Sequence, residues 1–421
     1  MCGIAGIFHR DRSRPIEPTR LQAMADAIAH RGPDAEGFYV EEPALGLAHR
    51  RLSIIDLASG AQPMGNEDGA LQLVFNGEIY NYRELRGELL ARGHRFRTQS
   101  DSETILHLYE DGGIEAVRRL RGMFAFALWD RRRQGLLLAR DRFGQKPLYY
   151  ACDQDRLVFG SELKAILAAG GFRREIDLQA LEDYLAFGFV PGERSIFRGI
   201  AKVPPASTLW IDRRDWQPRG GRYWQLPEVC EPTRTVQQWE ETLRDKLEEV
   251  VETHRISDVP LGSFLSGGLD SSAVTAILAG TNGTPVKTFS IGFEEARYSE
   301  LEHAGTVAAR FATDHTSAIV TADAVASLDS LTRFYDEPFA DASAIPTMRV
   351  AELASQHVKV VLSGEEGMKD SRATRGMRTT CGKRFGVNEC PAGFGKPVWG
   401  VWPNVGRRPI GCPVRCAAKR R

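Results

Sequence analysis

The 421-residue chain has no apolar run near the roughly 20 residues a membrane helix needs, so no membrane span is expected. Its opening, MCGIAGIFHR, lacks a basic start followed by an apolar core, which argues against a secretory leader or a lipoprotein signal using Cys2. Seven cysteines, odd in number and scattered, exclude a disulfide framework and fit a reduced, cytoplasmic protein. There is no net charge either: 55 basic residues balance 55 acidic ones. That balance hides a split. From Glu366 to the end there are 13 basic and 3 acidic residues, four of the cysteines and no leucine; Met1 to Glu365 carries the opposite excess. The sequence changes character near Glu365.

What is present is an ordinary globular composition, 42 % hydrophobic and 26 % charged, on a chain too long for one core. Gly3 to Phe8, Leu71 to Phe75, Met123 to Asp130, Gly135 to Asp141, Pro147 to Cys152 and Arg156 to Phe159 read as strands. Leu21 to Ala29, Tyr82 to Arg92 and Thr104 to Leu120 have helical spacing. Clustered strands of this kind predict a layered α+β domain over 1–211. Residues 212–235, rich in Arg, Pro and Trp, read as a linker. Beyond it strands and helices alternate. Helix Val236 to Thr253 precedes strand Leu261 to Leu265, helix Ala273 to Ala279 and strand Thr288 to Phe293. Helices His303 to Phe311 and Thr347 to Ser355 then lead to strand Val358 to Leu362. That order predicts a parallel doubly wound α/β sheet over 236–365.

Two places carry chemistry. Trimming of Met1 would leave Cys2 with a free α-amine. The amine titrates at about 7.7–8.0 and the thiol at about 8.5, so one residue can supply base and nucleophile. SFLSGGLDSSAV at 263–274 is strand, Gly-Gly turn and helix start. Glycines let a backbone approach phosphates, and a helix N-terminus offers free N–H groups. Ser266, Ser271 and Ser272 add hydroxyls. Asp270 would repel phosphate unless Mg²⁺ bridged the two. The Lys-Ser/Thr ending of a Walker loop is absent.

MCGIAGIF at the start, HRGPD at 30–34, HRRLSIID at 49–56, FNGEIYNY at 75–82 and SDSE at 100–103 resemble the class II glutamine amidotransferases. The resemblance implies a four-layer αββα N-terminal-nucleophile fold. It assigns the oxyanion to Asn76 and Gly77, the glutamine carboxylate to Arg51 and its ammonium to Glu78 and Asp101. Leu52, Ser53, Ile54 and Ile55 complete the glutamine site. Asn-Gly is also a hairpin-turn signal, and both readings can hold. Arg50 and Arg51 sit on one strand, so only one should reach the pocket. The 263–274 segment resembles the loop of the ATP pyrophosphatases. It implies ATP contacts from Leu265, Ser266, Gly267, Gly268, Asp270, Ser271, Ser272, Ile291, Ser363 and Gly364. Together with RDRFGQKPLYY at 140–150, FGSELKAIL at 159–167 and DEPFADASAIPT at 336–347, the pairing resembles glutamine-hydrolysing asparagine synthetases. Glutamine, aspartate and ATP are the implied substrates and Mg²⁺ the implied ion. No nucleic acid or membrane partner is expected, and a homodimer stays open. Alternatives are transfer to another carboxylate, such as a polysaccharide precursor, and a non-catalytic product.

The resemblance stops at Glu365, where the family pattern continues with a Gly-Gly-Asp-Glu type loop. Codons read one base out of register from Glu365–Glu366 to Met368–Lys369 can spell Gly, Gly, Asp and Glu. Residues 366–421 are therefore read as out-of-frame translation and the synthetase domain as partial. A genuine basic tail is the competing reading. Against it, Cys412 and Cys416 lack the usual zinc spacing and a second ligand pair.

Overall fold

The computed structural model describes residues 1–364 apart from 44, 228–233, 282 and 321–323. The segment read as out of frame, 366–421, lies outside the described residues.

The first strand, Gly3–His9, is buried along its whole length, as its apolar sequence predicts. It pairs antiparallel with Leu45–Arg51 on one side and Arg156–Gly160 on the other, which puts it inside a six-stranded sheet. A second six-stranded antiparallel sheet is built around Leu71–Ile79, Gly122–Asp130 and Gly135–Arg140. The two sheets face each other across Ile4, Phe8, Leu47, Val74, Ala127, Trp129, Leu138 and Phe159. Strand alternation sends the other side chains outward. On the first sheet's outer face Ile7 and Val158 pack with Leu21, Met24 and Ile166 from helices Pro18–Ala27 and Leu163–Ala168. On the second, Leu73, Phe75 and Phe126 pack with Leu85, Leu89 and Ile105 from Tyr82–Ala91 and Asp101–Gly112. The layers run helix, sheet, sheet, helix.

The stretch expected as linker does not begin at 212. Arg219–Arg222 pairs with Ser207–Asp212 as the edge of the second sheet, and Trp216 and Tyr223 are buried in its cores. The lack of period misled here: a short edge strand containing Gly220 and Gly221 has little alternation to show.

Helix Val236–His254 opens on a capping box, with Thr235 and Gln238 satisfying each other's backbone N–H groups. After it, Leu261–Phe264, Lys287–Phe293, Asp314–Val320 and Val360–Leu362 form a parallel sheet with Leu261–Phe264 and Lys287–Phe293 central. The parallel order agrees with the alternating sequence. Asp314–Val320 went unread because its alternation is polar, with no residue fully buried. Val360–Leu362 is an edge strand among the described residues. Val358 nevertheless packs with Phe289 and Ala354, so this stretch is less bare than a missing neighbour would leave it.

Candidate active site

A cavity of about 310 Å³ opens at the chain start. Cys2, Arg51, Leu52, Ile54, Ile55, Asn76, Gly77, Glu78 and Asp101 all line it. Ser53 sits between Leu52 and Ile54 but is not part of this lining, and its N–H donates to Asp34 Oδ2 at 2.8 Å. Met1 also lines the cavity, with Lys146 Nζ 3.1 Å from its Sδ. Burial pushes the Met1 amine down to about 5. The backbone nitrogen of Cys2 is a peptide nitrogen while Met1 precedes it. Its Sγ lies 3.4 Å from the Leu52 N–H, and burial pushes the thiol up.

Asn76 and Gly77 are in the middle of strand Leu71–Ile79, opposite Ala125 and Phe124, rather than in a hairpin turn. The turn reading therefore fails: nine residues of unbroken pairing override the local propensity. Gly77 is needed for closeness, since an added methyl would lie 2.2 Å from the Met123 carbonyl oxygen. Asn76 is 1 % exposed, and its Nδ2 has no partner among the described residues. A buried amide donor without an acceptor is costly, and such groups mark functional positions.

Of the two adjacent arginines, Arg51 reaches the cavity. Its guanidinium donates to the carbonyls of Asp56 at 2.5 Å and Leu57 at 3.3 Å. Arg50 points the other way, to Asp26 and Glu36. Glu78 and Asp101 supply two acids. Burial raises Glu78 to about 7, against the opposing charge of Lys146. Burial likewise raises Asp101 to about 6, although the Ile79 N–H donates to its Oδ2 at 2.8 Å.

Sequence reasoning missed several neighbours. Lys146 lies within a motif used only for its overall resemblance. Arg31 donates from Nε to the Cys2 carbonyl at 2.9 Å and from Nη1 to Glu162 at 2.7 Å. Burial alone would raise Glu162, yet His30, Arg31 and Lys164 hold it down to about 2. Lys359, Val360 and Val361 close the cavity from the parallel-sheet region, a contact across more than 300 residues that no local pattern encodes. A larger groove of about 840 Å³ between Arg10, Cys152, Glu193 and Trp216 contains none of the expected residues.

At the second place the chain turns from strand Leu261–Phe264 into helix Leu269–Thr281. Gly267 has φ +81°, and an added methyl would lie 2.6 Å from His303, so the turn excludes side chains twice over. Ser266 and Ser271 hydroxyls bond each other at 3.0 Å, while the buried Ser272 Oγ has no partner among the described residues. Gly364 backs onto Asp270 and Ser271. Beside the turn a cavity of about 260 Å³ is lined by Leu265, Ser266, Phe289 and Ile291. The structure thus gathers all ten expected ATP residues around one helix start and its flanking strands. Asp270 brings one carboxylate, fewer oxygens than Mg²⁺ requires. The further acid expected after Gly364 lies outside the described residues.

Two facing antiparallel sheets between helices, with a cysteine leading the central strand, define an N-terminal-nucleophile amidotransferase fold. A parallel sheet of the ATP-pyrophosphatase kind follows it. A glutamine amidotransferase domain family matches residues 1–224, and an asparagine synthase family matches 242–367. Asparagine synthetase (glutamine-hydrolysing) 1 of Bacillus subtilis strain 168 is 40 % identical over 374 residues, 87 % of this chain and 57 % of that protein. A Methanocaldococcus jannaschii protein provisionally named glutamine-hydrolysing asparagine synthetase 2 is 37 % identical over 392 residues, 87 % of this chain and 74 % of that one. A solved B. subtilis glutamine phosphoribosylpyrophosphate amidotransferase is similar at 17 % identity and a TM-score of 0.39, over 77 % of this chain and 70 % of that one. The chain belongs to the asparagine synthetase family. It spans between about half and three quarters of the length of these curated relatives.

Proposed function

We propose that this chain hydrolyses glutamine at Cys2, and that its family reaction is ATP-dependent amidation of aspartate to asparagine. The observation that carries the first half is the buried, unpartnered Asn76 Nδ2 in the same cavity as Cys2. Once Met1 is removed, the Cys2 α-amine takes the thiol proton and the thiolate attacks the glutamine amide carbon. The oxyanion that forms accepts from Asn76 Nδ2 and the Gly77 N–H. Ammonia leaves, and water then opens the glutamyl thioester. Arg51 takes the glutamine carboxylate in this reading, and ionised Glu78 and Asp101 take its ammonium.

In the second half, the turn at 265–272 receives the ATP phosphates and the apolar cavity beside Leu265 and Ile291 receives adenosine. The aspartate side chain attacks the α-phosphorus, pyrophosphate leaves, and ammonia displaces AMP from the aspartyl adenylate. The orphaned Ser272 hydroxyl and the side-chain-free approach at Gly267 support a phosphate there. Mg²⁺ with Asp270 as one ligand would neutralise the phosphate charge. The sequence after Glu365 departs from the family pattern, which favours an impaired synthetase half and a reading-frame change at that codon. A coding sequence whose other frame holds no family continuation would dismiss the frame change.

The deciding assay follows glutamate and ammonia from glutamine, using the parent chain and Cys2→Ala. Hydrolysis by the parent that the variant lacks is expected; equal rates would sink the nucleophile. Asparagine formed by the parent from glutamine, aspartate and ATP would refute the impairment.

A further inference from the structure

Away from both sites, three side chains converge from two elements. His94 lies on the turn that follows helix Tyr82–Ala91, and His107 and Glu110 lie three residues apart on helix Asp101–Gly112. One ligand atom from each lies within 4.8 Å of the others. Glu110 Oε2 is the meeting point, 2.9 Å from His107 Nδ1 and 3.4 Å from His94 Nδ1. The far atoms of two members are held by neighbours. His94 Nε2 lies 2.9 Å from Asp111 Oδ1. Glu110 Oε1 accepts from Asn66 Nδ2 at 2.7 Å. The buried His107 Nε2 faces Glu103 Oε1 at 3.7 Å, too long for a hydrogen bond. A carboxylate behind one imidazole and an amide behind the carboxylate are the kind of outer shell that orients metal ligands.

We propose that His94, His107 and Glu110 bind a divalent transition-metal ion of the zinc kind, with solvent as the fourth ligand. Zinc bonds of about 2.0–2.1 Å put tetrahedral neighbours about 3.4 Å apart. The two contacts at Glu110 already match that spacing within half an ångström. The wider gap closes by rotation of His94, which sits on a turn. Two imidazoles and one carboxylate suit zinc, whereas Mg²⁺ and Ca²⁺ favour oxygen alone. On binding, each Nδ1 gives up any proton it carries to solvent and donates its lone pair to the ion. The ion would staple the turn at 94 to the helix whose first residue, Asp101, reaches the Cys2 cavity. This role does not depend on glutamine being the substrate.

Co²⁺ is the probe, titrated into the chelator-treated full chain and followed by absorption. One equivalent should bind with the weak visible bands of nitrogen and oxygen ligands. The intense near-ultraviolet band of thiolate ligands, which the tail cysteines would produce, should be absent. His94→Ala, on a turn, and Glu110→Gln should each weaken binding at least about 10-fold, since even outer-shell losses cost that much. Unchanged far-ultraviolet circular dichroism shows that both variants fold. No Co²⁺ binding at millimolar concentration, a thiolate band, or parental affinity in both variants would overturn the site.

Discussion

The proposed hydrolysis turns on Asn76. Its Nδ2 is buried without an acceptor among the described residues, a cost that an oxyanion at this place would offset. Asn76→Ala should lower kcat for glutamine hydrolysis about 100- to 1,000-fold with little change in KM, measured by steady-state ammonia release. Glu78 and Asp101 govern the pH response. Glu78 has a folded pKa of about 7, above its ordinary 4.5, so the folded chain binds this proton more tightly than the unfolded one. Its contribution to stability is present below 4.5 and is lost as pH rises to 7. In the proposed reaction substrate binding runs the other way, because the glutamine ammonium would pair with the ionised acids. KM for glutamine should therefore rise as pH falls from 7 through 6, with Glu78→Gln flattening the upper part of that profile. A KM independent of pH across this range would remove both acids from glutamine binding.

Among the elements, the segment after Phe334 ties the parallel-sheet region to the first domain through half-buried ion pairs. Glu337 accepts from the Ile196 N–H at 2.8 Å and the Tyr149 hydroxyl at 3.2 Å, and pairs with Lys202 at 2.9 Å. Asp336 accepts from the Lys164 N–H at 2.9 Å, and Lys164 Nζ continues to Glu162 at 2.7 Å. Glu162 in turn holds Arg31 against the Cys2 carbonyl, so the contact reaches Cys2 through charged side chains. Removing one partner of a half-buried pair leaves the other groups poorly compensated. Glu337→Ala should cost about 1–2 kcal/mol of stability by urea unfolding, and should speed amide exchange at Tyr149 and Ile196. The DEPFADASAIPT motif was legible as a family mark, but its docking role was not. Which basic residue meets an acid 135 to 172 residues away depends on how two domains pack.

For the whole molecule, the face of helix Val236–His254 that carries Val236, Trp239, Leu243 and Leu247 is 75, 48, 60 and 37 % exposed. These positions follow the helical repeat along one stripe, and an apolar stripe of this kind in water promotes association. Trp239→Lys should lower the fluorescence of a bound hydrophobic dye and shift any concentration-dependent oligomer toward monomer, measured by sedimentation. Unchanged dye binding would show that the stripe is covered in solution. Among the described residues no helix is long and apolar enough to cross a membrane.

Read alone, the chain revealed its two halves, the central strands, and the turn at 266–268. Each rests on local information: apolar runs, helix spacing, and glycines where side chains cannot fit. Arg51 could be preferred to Arg50 only through a resemblance; the pairing of Leu45–Arg51 between two strands decided the direction. That the Ser53 N–H is held by Asp34 is likewise a contact no motif records. The Asn76–Gly77 pair shows the limit most clearly. A dipeptide carries a turn preference worth little energy, whereas a nine-residue strand paired along its full length is set by the burial of both its faces. Lys146, Arg31, and the wall from Lys359 to Val361 reach Cys2 only through tertiary packing. Their neighbours are distant in sequence, and no period or motif records a contact that exists only once the sheets have stacked.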